Sequence, residues 1–200
     1  MAIVLNPYTF TSAPVSQATL VGFSTGKDTI TLNASTAVGD LCLIFTDPNS
    51  VSSISGWTST STAGMYYFKK IVVSGDLGTP ITVQDSGGPH VAAVSVSLRD
   101  CSIATQKASG QDNPVTDITL AGFTRNASHK GIVGCAWSYE LGPSPTTSGA
   151  WSSSAQRGDG DIGRYLKTST LVDNSYISGS SITFGTIGPG GIGAVILELT

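Results

Sequence analysis

From residue 18 onward the chain is a succession of short apolar runs with a period of two, each closed within a few residues by Gly, Pro, Asn or Asp. Val94, Val96 and Leu98 alternate with Ser95 and Ser97, Ile81 and Val83 with Thr82 and Gln84, Ile118 and Leu120 with Thr119, and Ile182 and Phe184 with Thr183. In a strand, side chains two apart share a face, so each run presents an apolar row inward and a hydroxyl row outward. Strands are expected at 18–23, 28–32, 40–46, 65–73, 80–84, 91–98, 116–120, 131–139, 163–168, 181–184 and 192–199. Between them lie Gly26-Lys27-Asp28, Asp47-Pro48-Asn49-Ser50, Ser74-Gly75-Asp76 and Gly87-Gly88-Pro89, residues that supply the positive or fixed φ angles that turns require.

Composition closes off the alternatives. Exposed helix faces are built from Glu, Lys, Ala and Gln, and this chain has two Glu in 200 residues, Glu140 and Glu198. Charged residues make up 12%, and a hydrophobic share of 40% argues against disorder. The expected fold is all-β: one antiparallel two-sheet β-sandwich over residues 1–200, jelly-roll-like, with an N-terminal arm at about 1–15 and a long loop near 140–162. An immunoglobulin-type sandwich fits less well, because it needs about 100 residues and a Cys…Trp…Cys spacing that is not present.

Ten Lys and Arg, spread singly apart from Lys69-Lys70, form no basic stripe, so no nucleic acid is expected as a partner. Met1-Ala2-Ile3-Val4-Leu5 has no basic flank and ends at Asn6-Pro7, and no run reaches 18 apolar residues. Neither a signal peptide nor a membrane partner is expected, and synthesis is expected in the cytoplasm. Cys42, Cys101 and Cys135 are odd in number and far apart. They read as free structural thiols, with a Cys42–Cys135 bridge as the alternative.

Chemistry-bearing motifs are few. Gly22-Phe23-Ser24-Thr25-Gly26 matches the G-x-S-x-G nucleophile pattern, but a nucleophile elbow opens a helix and this segment runs into a hairpin. His90 and His129 stand alone in polar turns, without zinc-ligand spacing. Asp159-Gly160-Asp161 lacks the further oxygen ligands of a calcium loop, and Arg157-Gly158-Asp159 is only a three-residue string. Gly188-Pro189-Gly190-Gly191-Ile192-Gly193 precedes a strand and reads as a tight hairpin or bulge, not a phosphate cradle. No cofactor, metal or catalytic residue is expected. Aromatic rings are the remaining candidates: Trp151, whose one apolar neighbour is Ala150, together with Tyr139, Tyr165 and Tyr176, could stack on a sugar ring. Trp137 reads as core.

Val38-Gly39-Asp40-Leu41-Cys42-Leu43-Ile44-Phe45, Ser55-Gly56-Trp57-Thr58, Tyr66-Tyr67-Phe68-Lys69-Lys70 and Ser74-Gly75-Asp76, with a looser match over Val91 to Arg99 and 192–199, form a recurring set. The set resembles a β-sandwich module of bacteriophage and prophage virion proteins. The resemblance implies a non-enzymatic virion component, such as a capsid decoration or cement protein or a tail or fibre component. Its partners would be capsid or tail proteins of the same virion. It would also be a homo-oligomer, a trimer by the habit of virion symmetry. The alternative is a carbohydrate- or receptor-binding module of a tail fibre or cell-surface protein. A hydrolase would require a cleft that gathers a nucleophile or carboxylate pair.

Overall fold

The run Leu41-Cys42-Leu43-Ile44-Phe45 is apolar at every position, and the structure shows why: both faces of its strand are covered. The computed structural model describes residues 18–46, 50–85, 91–121, 126, 128–139, 146–148, 153–159, 164–171 and 182–200. Within them, β1 (Thr19–Lys27), β2 (Thr29–Ile30), β3 (Leu41–Thr46), β4 (Thr58–Thr62), β5 (Met65–Ile71), β6 (Ile81–Thr82) and β7 (Ala92–Arg99) form one sheet in the order β4-β5-β3-β7-β1-β2-β6. A second sheet contains β8 (Ile103–Leu120), β9 (Gly131–Tyr139), β10 (Thr146–Ser148), β11 (Ser153–Asp159), β12 (Arg164–Leu171) and β13 (Ile182–Leu199). Its order is β10-β13-β9-β12-β11, with β8 also on β13. Every described strand pairing is antiparallel.

The two sheets stack into the expected all-β sandwich. Leu41, Leu43 and Phe45 of β3, Met65 and Tyr67 of β5, and Val94, Val96 and Leu98 of β7 meet Val133, Cys135 and Trp137 of β9 and Val195, Leu197 and Leu199 of β13. Each fully buried aliphatic side chain in such a core stabilises the fold by roughly 1.5–3 kcal/mol. The connectivity is simpler than the strand-swapping order of a jelly roll: β1–β7 build one layer and β8–β13 the other, and the chain crosses between layers at residues 100–102.

The outer face of the first sheet carries a second core. Cys42, Ile44, Phe68 and Ala93 pack with Ile30, Leu32, Val72, Ile81, Val83 and Val91 from the flanking segments. For this reason Ser95 and Ser97, expected on a solvated face, are fully buried. The Ser97 hydroxyl is satisfied by Thr36 Oγ1 at 2.7 Å.

The second sheet is covered over β9 and the end of β13 by its own chain. Expected strands at 181–184 and 192–199 are one continuous β13, and β8 runs 18 residues where only 116–120 was expected. A straight strand would separate residues 110 and 118 by about 26 Å. Instead, a Cβ on Gly110 would lie 2.9 Å from Ile118 Cδ1 and 3.0 Å from Leu120 Cδ2. The β8–β13 ribbon therefore doubles back on itself. The bend falls where the register shifts between Gly185 and Gly190 and again between Gly190 and Ile192, so the glycine-rich stretch is a bulged bend within a strand. The returning part covers the outer face, where Ile132, Ala136, Ala194 and Ile196 are fully buried.

Three strands escaped the sequence pattern. β4 is Thr-Ser-Thr-Ser-Thr, with no apolar row to show its period. β10 and β11 lie inside the 140–162 segment expected as loop, where strand pairing with β13 and β12 overrides weak local preference. The N-terminal arm at about 1–15 lies outside the described residues.

Candidate functional site

The motif residues of the virion-protein resemblance gather into two ionic fixtures at one end of the first sheet. Gly39, at φ 94°, turns the chain into β3. Next to it Asp40, 2% exposed, receives a fork from Arg99, Nε to Oδ1 at 2.7 Å and an Nη to Oδ2 at 2.9 Å, and the Ala37 N–H donates to Oδ2 at 2.8 Å. Arg99 and the Ala37 amide together outweigh burial and hold the Asp40 carboxyl below its ordinary range. On the outer face, Lys70 Nζ lies 2.6 Å from Asp76 Oδ1 and 5.8 Å from the centre of the Trp57 ring. Trp57 packs against the outer core, and its ring and Asp76 share one cation. These are folding devices.

Asp40 gives a pH-dependent prediction. Its folded pKa is depressed, so its contribution is complete above the unfolded value near 3.9 and disappears as pH falls through the lower folded value. Asp40→Asn is expected to cost about 2 kcal/mol at pH 7 and much less near pH 2.5, as read from urea midpoints at the two pH values.

Between these fixtures the two layers part in an open groove of about 220 Å³. Leu41, Ile71 and Ile103 form its apolar lining, and Thr58, Ser102, Lys69 and Lys70 its polar one. Lys69 lies on the inner face of β5, opposite Thr58 of β4 and Leu43 of β3, and is half-buried. Lys70 is neutralised by Asp76, whereas Lys69 has no anionic partner among the described residues. Beside the groove, Ile71 is 50% exposed, Val38 61%, Val73 49% and Leu77 38%, the exposed large hydrophobic side chains of the described residues. Backbone hydrogen bonds from Gly39 N–H to Val72 C=O and from Val72 N–H to Asp40 C=O bring Val38 and Val73 to the same end. The sequence carried one signal of this surface: Ile71-Val72-Val73 stays apolar where alternation calls for a polar residue, and only Val72 is buried.

A third cluster lies on the outer face of the second sheet. Glu198 is fully buried. Its Oε1 accepts from the Asn126 N–H at 2.6 Å, and its Oε2 lies 2.5 Å from Lys107 Nζ and 3.1 Å from His129 Nδ1. Burial pushes the carboxyl up, but Lys107, the Asn126 amide and His129 more than compensate and hold it below the ordinary range. His129, expected as a solvated turn residue, is a partner of this carboxylate.

The sugar-stacking candidates are only partly placed. Trp151 and Tyr176 lie outside the described residues. Tyr139 and Tyr165 are in β9 and β12, where Tyr165 pairs with Ser138 and Tyr139 with Arg164. Paired residues share a face, so these two register positions fall on opposite faces of the sheet. Trp137 is core, with its Nε1–H donating to the Ala63 carbonyl at 2.8 Å. Ser24 sits in β1 opposite Ser95. A Cβ on Gly26 would lie 2.1 Å from the Thr29 carbonyl oxygen, so the second glycine of that motif serves the β1–β2 turn. His90, Gly160 and Asp161 lie outside the described residues, and Asp159 ends β11. Among the described residues no group of three His, Cys, Asp or Glu is placed to hold a metal ion, and no helix is long and apolar enough to cross a membrane.

All three cysteines are free. Cys42 belongs to the outer core and Cys135 to the inner one, so a bridge between them would have to pass through the sheet. Burial pushes Cys42 and Cys101 each up to about 12 and Cys135 well above its ordinary value. Alkylation of the folded protein at pH 8 is therefore expected to run on the order of a thousandfold slower than for a free thiol, with three thiols reacting once the chain is unfolded. One fast-reacting thiol in the folded protein would contradict this assignment.

No protein-family model, curated protein or solved structure matches the chain.

Proposed function

We propose that the chain is a non-enzymatic structural protein of a bacteriophage virion, a capsid decoration or cement protein or another surface component, acting through contacts with other proteins. The observation that carries this reading is the end of the sandwich where Val38, Ile71, Val73 and Leu77 stand exposed beside the open groove. The apolar side chains of β3, β7, β9 and the end of β13 are buried in the two cores, so the apolar side chains left exposed at this one end are available to a protein partner. The surrounding surface is rich in Ser and Thr and poor in long charged side chains, so little side-chain entropy is lost when it is covered. The virion assignment itself rests on the motif resemblance, whose residues build the Asp40–Arg99 and Lys70–Asp76–Trp57 fixtures that shape this end.

Mass spectrometry of particles released by a host carrying the gene tests the reading. The chain is expected in the particle, and purified chain added to particles lacking it is expected to rebind. Val73→Asp is expected to lower that rebinding about tenfold or more, with an unchanged circular dichroism spectrum, because a charge would have to be dehydrated at the contact. Particles without the chain, or rebinding indifferent to the substitution, would overturn it.

A further inference from the structure

The β4 edge and the Lys69 groove meet at Thr58, and together they describe a site for a particular kind of partner. β4 is an end strand of its sheet, paired with β5 through five consecutive residues without a register shift. Exposed edges are ordinarily guarded by charged residues, proline, a bulge or extreme shortness. β4 has none of the first three over its five residues, Thr58 to Thr62, whereas the opposite end strand, β6, is only two residues long. The β4–β5 hairpin closes through Ala63 at φ 49° and Gly64 at φ 68°, with Thr62 opposite Met65. That two-residue turn makes Thr62 and Met65 a hydrogen-bonded pair, and the antiparallel alternation then directs Thr58, Thr60 and Thr62 toward β5. The backbone N–H and C=O groups of Ser59 and Ser61 are left facing the open edge.

Lys69 supplies the second, independent observation. It is half-buried in the groove and has no anionic partner among the described residues, while its neighbour Lys70 has Asp76. An ammonium group partly removed from water without a counter-charge favours an incoming carboxylate. The aliphatic lining from Leu41, Ile71 and Ile103 favours an apolar side chain next to that carboxylate.

We infer that the β4 edge and the Lys69 groove together take an extended segment of a partner protein by strand addition, with an acidic side chain of that segment paired to Lys69. Backbone hydrogen bonds to Ser59 and Ser61 supply the register, and Lys69 supplies the selectivity. The inference deepens the reading of this end as a protein-contact surface and rests on it.

The test is a titration of the whole chain, followed by backbone amide shifts, with the peptide Ac-TVEVTV-NH2 and with its counterpart carrying lysine in place of glutamate. Saturable shifts at Ser59, Ser61 and Lys69 are expected with the acidic peptide, at least tenfold weaker with the basic one. Lys69→Glu is expected to reverse that preference. Ser61→Pro is expected to abolish the edge shifts while Thr60 and Thr62 keep their exchange protection, because the N–H it removes points away from β5. Absence of saturable shifts at Ser59 and Ser61 with either peptide, or an unchanged preference in Lys69→Glu, overturns the inference. So does sodium acetate alone shifting Lys69 as strongly as the peptide, which would make the groove a small-carboxylate site. The titration needs no virion. A chain found in particles with an inert β4 edge defeats this inference alone, and a peptide-binding edge on a chain absent from particles defeats the virion reading alone.

Discussion

Gly193→Ala is expected to lower the melting temperature by on the order of 10 °C. Gly193 pairs with Trp137 across β13 and β9, and the indole lies against the glycine while donating to the Ala63 carbonyl. A Cβ there would be 2.1 Å from that carbonyl oxygen and 2.2 Å from Trp137 Nε1. One obstacle is backbone and the other is the largest fully buried side chain in the core, so neither can swing aside cheaply. The expected cost is about 3 kcal/mol, from overpacking and from loss of a hydrogen bond that joins the β4–β5 turn to the second layer. Trp137→Phe, which keeps a ring but removes the donor, is expected to cost about 1–2 kcal/mol. The two costs should fail to add in the double variant, because both act on one contact. Denaturant unfolding followed by fluorescence checks all three, and a Gly193→Ala variant within about 0.5 kcal/mol of the parent would show that the turn is not held against the sheet in this way.

Glu198→Ala is expected to cost about 3–4 kcal/mol at pH 7. It strands the Lys107 ammonium, at 23% side-chain exposure, and removes the acceptor of the Asn126 amide. That amide belongs to the stretch of chain that returns from β8 to the start of β9, so the carboxylate pins the doubled-back ribbon over the sheet. Glu198→Gln keeps the shape and is expected to cost less, because its amide oxygen can still accept from Asn126. The pH dependence has a definite sign. The folded carboxyl titrates below its ordinary value, so the parent's advantage over Glu198→Gln is complete above the unfolded value near 4.3 and is lost as pH falls through the folded one. Equal urea midpoints for parent and Glu198→Ala at pH 7 would remove the pin from the account.

Strand content was legible because apolar patterning is a local property: β7 alternates from Val94 to Leu98, β3 is a short unbroken apolar run set between turn residues, and β9 spans the expected residues 131–139. β4 was illegible because an all-hydroxyl strand has no apolar row, and the same lack of guarding side chains makes its edge of interest. The candidate site was barely readable. Lys69 stood in the sequence as half of an ordinary dibasic pair, and nothing local distinguished it from Lys70. Only the fold gives Lys70 an aspartate and a tryptophan and leaves Lys69 without a counter-ion among the described residues. Likewise His129 and Glu198, 69 positions apart in the sequence, gave no sign of belonging together.

By itself the sequence determined that the chain is a β protein, which side chains share a face, and where most turns fall, since φ preference and period-two alternation act over a few neighbouring residues. The tertiary structure alone decided which strands pair, that β3, β7, β9 and the end of β13 are covered on both faces, and which charges meet. Those outcomes depend on contacts between distant segments, and a Ser- and Thr-rich strand accepts many neighbours equally well until the packing of the whole layer selects one.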